Sequence, residues 1–222
     1  MSAVTRKMSR LPHEQLPHKR NYTYEEWVEL ERPEEAYKLE LINGELYAMA
    51  SPTHEHQGML SELSAQFTVY LRGKKCKIYP GFGVRLAKNT VYIPDLILVC
   101  DKSKLTSNSH EGPPELIIEI LSPSNRRHDN VTKFNAYLNA EVPEYWTVDP
   151  SEKFVARHRL VNGGYMTSTY EIGDTVPVDA LPGFEIDLTA VFEYEFEEVE
   201  ELSNENADEE NVDNEGEQNA DR

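Results

Sequence analysis

The chain has 222 residues, a formal net charge of −18 and a hydrophobic content of 39%. This length and content suit one domain with a substantial core and short appendages. The acidity is uneven, because residues 193–222 contain 14 acidic residues and one arginine, or −13, which leaves only −5 on residues 1–192. The overall charge therefore does not exclude a body that binds nucleic acid.

Signals for export and for membrane insertion are missing from the sequence. The basic N-terminus lacks the apolar core of a signal peptide, and no apolar run approaches the roughly 18 residues of a membrane span. Cys76 and Cys100 show neither metal-binding spacing nor the pattern of a secreted disulfide framework. We therefore predict a soluble cytoplasmic protein with reduced, buried thiols.

Composition divides the chain into three segments. Residues 1–20 are basic and interrupted by proline, which predicts a flexible arm, and residues 21–192 carry the hydrophobic patterns of one domain. Residues 193–222 are poor in apolar side chains and cannot offset their ordering entropy, so we predict a disordered acidic tail. This tail is either a solubilising appendage or a mimic of a polyanion that occupies a basic groove.

The first predicted elements are a short helix and a β-hairpin. Thr23 and Glu26 have the spacing of a capping box, which predicts a helix start. Asn43-Gly44 separates two alternating segments and favours a two-residue hairpin turn. The resulting register places alternate residues on opposite faces, with Leu39, Leu41, Leu46 and Ala48 on one and Glu40, Ile42, Glu45 and Tyr47 on the other.

The rest of the domain alternates helices and strands. A long amphipathic helix is predicted over residues 54–71, and residues 77–100 supply two strands around a turn at 88–90. The apolar run around Glu119 supplies a third strand. A helix over residues 128–140 then buries Val131, Phe134, Tyr137 and Leu138. The strand EYWTVD, a hairpin across 162–164 and a closing segment at 181–192 complete an α/β or α+β fold with helices flanking a sheet.

Two carboxylates lie within apolar, strand-like runs: Asp95 in VYIPDLILVC and Glu119 in ELIIEILSPSN. An ionised carboxylate in such surroundings needs a cation, a proton or hydrogen bonds, since its burial alone costs several kcal/mol. On adjacent strands the two could converge on one Mg²⁺ or Mn²⁺, which suits phosphodiester hydrolysis by activated water. No cluster of His and Cys indicates zinc.

Lys133 is the candidate for the positive charge that a developing oxyanion requires. Asp129, Lys133 and Tyr137 are spaced four residues apart and share one stripe of the predicted helix. The alternative is a surface ion pair between Asp129 and Lys133, worth only about 0.3 to 0.5 kcal/mol.

These motifs together resemble the large bacterial "putative restriction endonuclease" family of the PD-(D/E)XK nuclease superfamily. The resemblance covers about residues 22–192 and is carried by the PD pair at Asp95, EILSPSN from Glu119, the D-x-x-x-K spacing that ends at Lys133, VPEYWTVDP, LPGF, ELINGEL and EHQ. It implies a restriction endonuclease-like core: a mixed β-sheet flanked by helices, with an N-terminal β-hairpin and C-terminal strand additions. It also implies that Asp95 and Glu119 are metal ligands.

One position departs from the superfamily pattern. The superfamily lysine falls two residues after the glutamate, where this chain has Leu121. The family resemblance implies that the lysine has moved to the following helix, at Lys133.

Four further residues are candidates for the site. Glu40 could complete the metal shell, as an upstream glutamate often does in the superfamily, and a solvated hairpin face is the alternative. His56 is predicted to shuttle a proton or contact DNA phosphate, against a capping or surface role. Arg126 and Arg127 follow the Glu119 strand and are predicted to bind DNA phosphates, with solvent exposure as the alternative.

The sequence therefore predicts a Mg²⁺- or Mn²⁺-dependent endonuclease that hydrolyses DNA, with Asp95, Glu119 and Lys133 as catalytic residues. The modest charge of residues 1–192 weakens this prediction. The rival is a catalytically inactive nuclease-fold module that binds nucleic acid or protein. A glycosidase with two carboxylates is less consistent, because nothing supplies an aromatic sugar cleft. A homodimer is expected by analogy, since cleavage of both strands needs two sites.

Overall fold

The computed structural model describes residues 9–10, 21–30, 38–49, 51–122 and 128–193. The described strands are β1 Ser9–Arg10, β2 Lys38–Ile42, β3 Glu45–Met49, β4 Lys77–Pro80, β5 Gly83–Ala87, β6 Thr90–Tyr92, β7 Leu96–Val99, β8 Ser109–Glu111, β9 Leu116–Ile120, β10 Glu144–Asp149, β11 Phe154–Val161, β12 Gly164–Glu171, β13 Thr175–Pro177 and β14 Glu185–Asp187. The described helices are α1 Tyr24–Glu29, α2 His54–Tyr70, α3 His128–Asn139 and α4 Leu188–Phe192, with a 3-10 turn at Lys102–Lys104. The predicted arm and acidic tail fall almost wholly outside these residues.

The strands form two large sheets and one small pair. The N-terminal sheet has the order β1-β3-β2-β6-β5-β8, the central sheet has the order β12-β11-β10-β9-β7-β4, and β13 pairs with β14. Both large sheets are mixed, since β5 is parallel to β8 and β9 is parallel to β10, whereas β7 and β9 are antiparallel. The prediction of a mixed sheet with flanking helices is confirmed.

The β2–β3 hairpin has the predicted register. Glu40 pairs with Tyr47 and Ile42 with Glu45, while Asn43 and Gly44 take φ values of 52° and 81° in the turn. The predicted apolar face packs in one cluster with Trp27 of α1, whose indole N–H donates to the carbonyl of Leu39 at 2.7 Å. The capping box of α1 is also present. These elements are local in sequence, which is why their pattern predicts them well.

The central sheet is covered on both faces. Leu96 and Leu98 of β7 pack with Met59, Leu63 and Phe67 of α2, and alternate residues of β9 join the same cluster. The intervening residues of β7 and β9 are Ile97, Val99 and Ile117. They face the other side of the sheet, where they pack with Tyr137 of α3 and with part of the N-terminal sheet. The near-continuous apolar runs therefore correspond to strands that are buried on both faces.

Two predictions about single elements are wrong. Residues 77–99 form four strands, because Pro80-Gly81 ends β4 and Pro94-Asp95 separates β6 from β7. Val131 is 61% exposed and is not buried on α3. It lies two residues from Lys133, on the opposite side of the helix from the stripe that faces the sheets.

The thiol prediction is also wrong, since Cys76 and Cys100 form a disulfide with a Cα–Cα distance of 4.0 Å. Both are half-buried. Lys77 pairs with Val99 across β4 and β7, so the next residues outward come face to face. The spacing of 24 residues gives no hint of this pairing, because only the strand register produces it. Among the described residues, no helix is long and apolar enough to cross a membrane.

Candidate functional site

Three buried carboxylates converge where the two large sheets meet. Glu40 comes from β2 of the N-terminal sheet, Asp95 immediately precedes β7, and Glu119 lies near the end of β9. Their exposures are 0%, 3% and 6%. Because β7 and β9 are antiparallel, with Leu96 paired to Ile118, the residue before β7 lies beside the carboxyl end of β9.

Asp95 is held by three groups. Lys38 Nζ lies 2.9 Å from its Oδ1, while His56 Nε2 lies 3.0 Å from its Oδ2 and the amide of Ile120 donates to Oδ2 at 3.0 Å. Burial alone would raise the pKa of Asp95, but the Lys38 charge, the hydrogen bond and charge of His56 and the Ile120 amide outweigh it. The pKa of Asp95 therefore lies well below its usual range, and this carboxylate is ionised.

Glu119 is approached by two side chains of α3. Lys133 Nζ lies 2.8 Å from Glu119 Oε1, and the Tyr137 hydroxyl donates to the same oxygen at 2.7 Å. Burial raises the pKa of Glu119, and the charges of Asp95 and Glu40 act in the same direction against that of Lys133. Burial works against the ammonium of Lys133, but the charges of Glu119 and Glu40 raise its pKa above the usual value. The lysine is therefore charged.

Glu40 is the third member of this group. Its Oε1 accepts the amide of Ile93 at 2.9 Å and lies 3.4 Å from Lys133 Nζ. Its Oε2 is buried, and no hydrogen-bond partner from the described part of the chain reaches it. A buried carboxylate oxygen without a partner is costly, so this atom is the best-defined place for an added cation.

The charges of the site favour a further cation. The site has three carboxyl groups and two ammonium groups, from Lys38 and Lys133, so its acidic side chains outnumber its lysines. Oxygen donors suit Mg²⁺ or Mn²⁺. Both oxygens of Asp95 are already engaged, and the described residues contain no group of three or more His, Cys, Asp or Glu side chains arranged around one metal position. The donor types fit a hard divalent cation, and Asp95 would exchange a hydrogen bond to join it.

The structure brings together five of the seven predicted site residues: Glu40, His56, Asp95, Glu119 and Lys133. Burial removes the solvated alternative for Glu40, the surface alternative for His56 and the surface ion pair of Lys133. The roles predicted for the five in metal binding, catalysis and DNA contact stay predictions. Arg126 and Arg127 lie outside the described residues, as does the side chain of Asp129.

Sequence reasoning missed two partners. Lys38 lies two residues before Glu40 on β2, so strand alternation alone places it on the same face. The sequence pattern places Tyr137 on the helical stripe, but its hydrogen bond to Glu119 depends on the packing of α3 against β9. The first could have been found from sequence, and the second needed the tertiary structure.

Comparison with known proteins identifies a family, a relative and a solved structure that are similar to this chain. Residues 23–189 match the model of the Uma2 family, described as "putative restriction endonuclease". The uncharacterized protein slr1290 of Synechocystis sp. is 26% identical over 170 residues, which cover 74% of this chain and 87% of the relative. The crystal structure of a "putative nuclease belonging to DUF820" from Anabaena variabilis superposes with a TM-score of 0.63 at 21% identity, over 78% of this chain and 98% of the other. The likeness to the Anabaena structure shows that the two chains share a fold.

Proposed function

The chain belongs to the Uma2 "putative restriction endonuclease" family, and on this premise we propose that it is a metal-dependent endonuclease that hydrolyses phosphodiester bonds in DNA. The observation that carries the proposal is the position of Lys133. Its ammonium lies within 2.8 Å of Glu119 Oε1 and 3.4 Å of Glu40 Oε1, although α3 follows the strand at some distance in sequence. In this proposal, Lys133 of α3 provides the positive charge that Leu121, directly after β9, cannot provide.

Glu40, Asp95 and Glu119 would hold the cation, which is Mg²⁺ or Mn²⁺ by donor type. When bound, such an ion polarises a phosphate and lowers the pKa of bound water. The unpartnered Oε2 of Glu40 supports its inclusion in the set.

The other polar side chains of the site orient the carboxylates or supply positive charge. Lys38 and His56 fix both oxygens of Asp95, so that this carboxylate keeps one orientation. Tyr137 fixes Glu119 in the same way. Lys133 places an ammonium beside the glutamates, where it can stabilise negative charge on a phosphate. Low exposure strengthens each of these interactions. Cleavage of both strands would use two copies of the chain.

The proposal is tested by incubating purified protein with plasmid and single-stranded DNA in Mg²⁺, Mn²⁺ or EDTA. We expect metal-dependent cleavage that is lost in Asp95→Asn, Glu119→Gln and Lys133→Met, because each change removes a site charge at nearly constant volume. Glu141→Gln, in the exposed turn after α3, and Lys88→Met, in the exposed turn between β5 and β6, are the matched controls and should cleave normally.

A measurement of Mn²⁺ binding distinguishes a variant that has lost catalysis from a variant that no longer binds the cation. Titration with Mn²⁺ should raise the melting temperature of the wild type, and Glu40→Gln and Glu119→Gln should weaken this effect. If the wild type neither cleaves DNA nor responds to Mn²⁺, the proposal fails. The inactive nuclease-fold module is then the better description.

A further inference from the structure

A cluster of exposed basic residues lies away from the carboxylate site. It comprises six side chains from two segments, and we call it the basic cluster: Arg72, Lys74, Lys75, Lys77, Lys102 and Lys104. The first segment follows the C-terminus of α2 and enters β4, and the second is the 3-10 turn after β7. Residues 1–192 carry −5 overall, so this concentration of positive charge is a local exception.

The disulfide and the strand register bring the two segments together. Lys77 pairs with Val99, and the adjacent Cys76 and Cys100 are covalently joined. Hydrogen bonds from Ser103 lower the pKa of Asp101, and the charges of Lys104 and Lys75 lower it further, which shows that both segments surround this carboxylate. The six cations therefore outnumber the acids that the contacts place beside them, Asp101 and the partly buried Glu115.

Two of the lysines are held in place by local contacts. Lys77 Nζ donates to the carbonyl of Lys74 at 3.3 Å near the end of α2. Lys74 Nζ lies 3.0 Å from the centre of the Tyr70 ring, a cation–π contact. These contacts hold Lys74 and Lys77 at this end of the central sheet.

The basic cluster is distinct from the candidate site. Asp95 precedes β7 and Cys100 follows it, so about five residues of extended chain, or roughly 17 Å, separate the two. The cluster is therefore too far from the carboxylates to share a small ligand with them. Its charge suits a polyanion.

The acidic tail, residues 193–222, starts near this surface. The Gln66 side chain makes two hydrogen bonds with the backbone of Asp187, at 3.0 and 2.9 Å, and this joins the start of α4 to α2. From Gln66 to Tyr70, the last residue of α2, is about 6 Å at helical rise, and Lys74 contacts the Tyr70 ring. If the tail is a random coil, as its composition predicts, its 30 residues have an r.m.s. span of roughly 30 Å, which is long enough to reach the cluster.

We propose that the basic cluster is a binding site for an acidic peptide, and that its occupant is the acidic tail of the same chain. The tail supplies 14 acidic residues and one arginine. Its tether gives an effective concentration on the order of millimolar, so weak ion pairs suffice for occupancy at low salt. Docking masks the cluster against other polyanions and is released as salt screens the charges.

The direct test is zero-length carbodiimide crosslinking of the full chain at low salt, read by mass spectrometry. We expect intramolecular crosslinks from tail carboxylates to Lys75, Lys102 and Lys104, and their loss in about 1 M salt. Lys88 and Lys153 are the internal controls, because both are exposed and Lys153 lies beyond β10, at the opposite end of the central sheet. Equal crosslinking of the controls and the cluster would overturn the proposal.

A second test measures competition without any cleavage, so its result does not depend on nuclease activity. In full-length protein, the eight acidic residues between 205 and 221 are changed to Asn or Gln. We expect affinity for a fluorescent DNA duplex in EDTA to rise about tenfold at low salt. This gain should vanish when Arg72→Gln, Lys75→Gln, Lys102→Gln and Lys104→Gln are added.

Unchanged duplex affinity in the tail variant contradicts tail docking. If the cluster variant then binds the duplex more weakly, the cluster is a nucleic-acid site and not a tail site.

Discussion

Lys133 determines whether the buried carboxylates can coexist. It is the only cation that the described structure places against both Glu119 and Glu40, at 2.8 and 3.4 Å. Without it, two buried carboxylates would face each other with no charge between them. Breaking such a pair by removing one partner is far more costly than replacing both partners.

We predict that Lys133→Met lowers the free energy of unfolding by about 3 to 5 kcal/mol in EDTA. The double variant Lys133→Met/Glu119→Gln should recover part of this loss, because the unpaired charge is also removed. Urea unfolding measures the free energy of unfolding of the single and the double variant. Lys102→Met serves as the control, and a loss below about 1 kcal/mol for Lys133→Met would show that the ion pair contributes little.

His158 is a buried histidine outside the candidate site. Its ring packs against Phe134, Tyr145 and Tyr165, and its Nδ1 lies 2.8 Å from the Thr167 hydroxyl. Burial lowers the pKa of His158 to about 4. The aromatic surroundings disfavour the charged imidazolium, so the folded state keeps this side chain neutral.

This shift predicts a loss of stability in acid. Between about pH 6.5 and pH 4, His158 is protonated in the unfolded chain and neutral in the folded chain. Proton binding therefore favours unfolding, and the free energy of unfolding decreases as the pH is lowered through this range. His158→Gln, which can keep the bond to Thr167, should flatten the profile in this window. His54→Gln, at a side chain 82% exposed, should leave the profile unchanged. Identical profiles for all three proteins would exclude the effect.

At the scale of elements, the β2–β3 hairpin positions the site. Its turn residue Gly44 takes φ 81°, and a Cβ there would lie 2.9 Å from the Cα of Asn21. The Tyr22 amide donates to the carbonyl of Gly44 at 2.8 Å, so the chain before α1 is fastened to the turn. Glycine is required here both for its conformation and for this close approach.

A matched pair of substitutions separates the two requirements. Gly163, in the β11–β12 turn, has φ 79° and nothing within 4 Å of a Cβ. We expect Gly163→Ala to cost roughly 1 to 2 kcal/mol from the left-handed conformation alone. Gly44→Ala should cost measurably more, because the backbone of Asn21 must also move. Equal losses in urea unfolding would show that the contact relaxes freely.

At the scale of the whole molecule, the disulfide and the meeting of the two sheets hold the architecture. Cys76 and Cys100 close a loop with a sequence separation of 24 residues between the end of α2 and the end of β7. In the chain-entropy description, a loop of this length stabilises the fold by about 3 kcal/mol. This link also holds together the two segments of the basic cluster.

We predict that a reducing agent lowers the free energy of unfolding of the wild type by about 3 kcal/mol. The double variant Cys76→Ala/Cys100→Ala should show the lower value with and without the reductant. Thiol titration of the unfolded, unreduced protein provides the check. Two free thiols and a stability unaffected by reductant would contradict the disulfide.

The sequence by itself determined the local elements and the residue types of the site. The turn at Asn43-Gly44, the cap of α1 and the helical stripes depend on neighbours within a few residues, and alternation on β2 already places Lys38 beside Glu40. The acidic residues in apolar runs marked Asp95 and Glu119, because burial of charge requires partners wherever it occurs.

Only the tertiary structure decided which partners those are. The bridge from Lys133 to Glu119 and Glu40 joins a helix, the central sheet and the N-terminal sheet, and the disulfide joins strands that meet through their register. The exposure of Val131 likewise follows from the rotation of α3 against the sheets. Contacts between residues distant in sequence depend on the packing of whole elements, which no local pattern encodes.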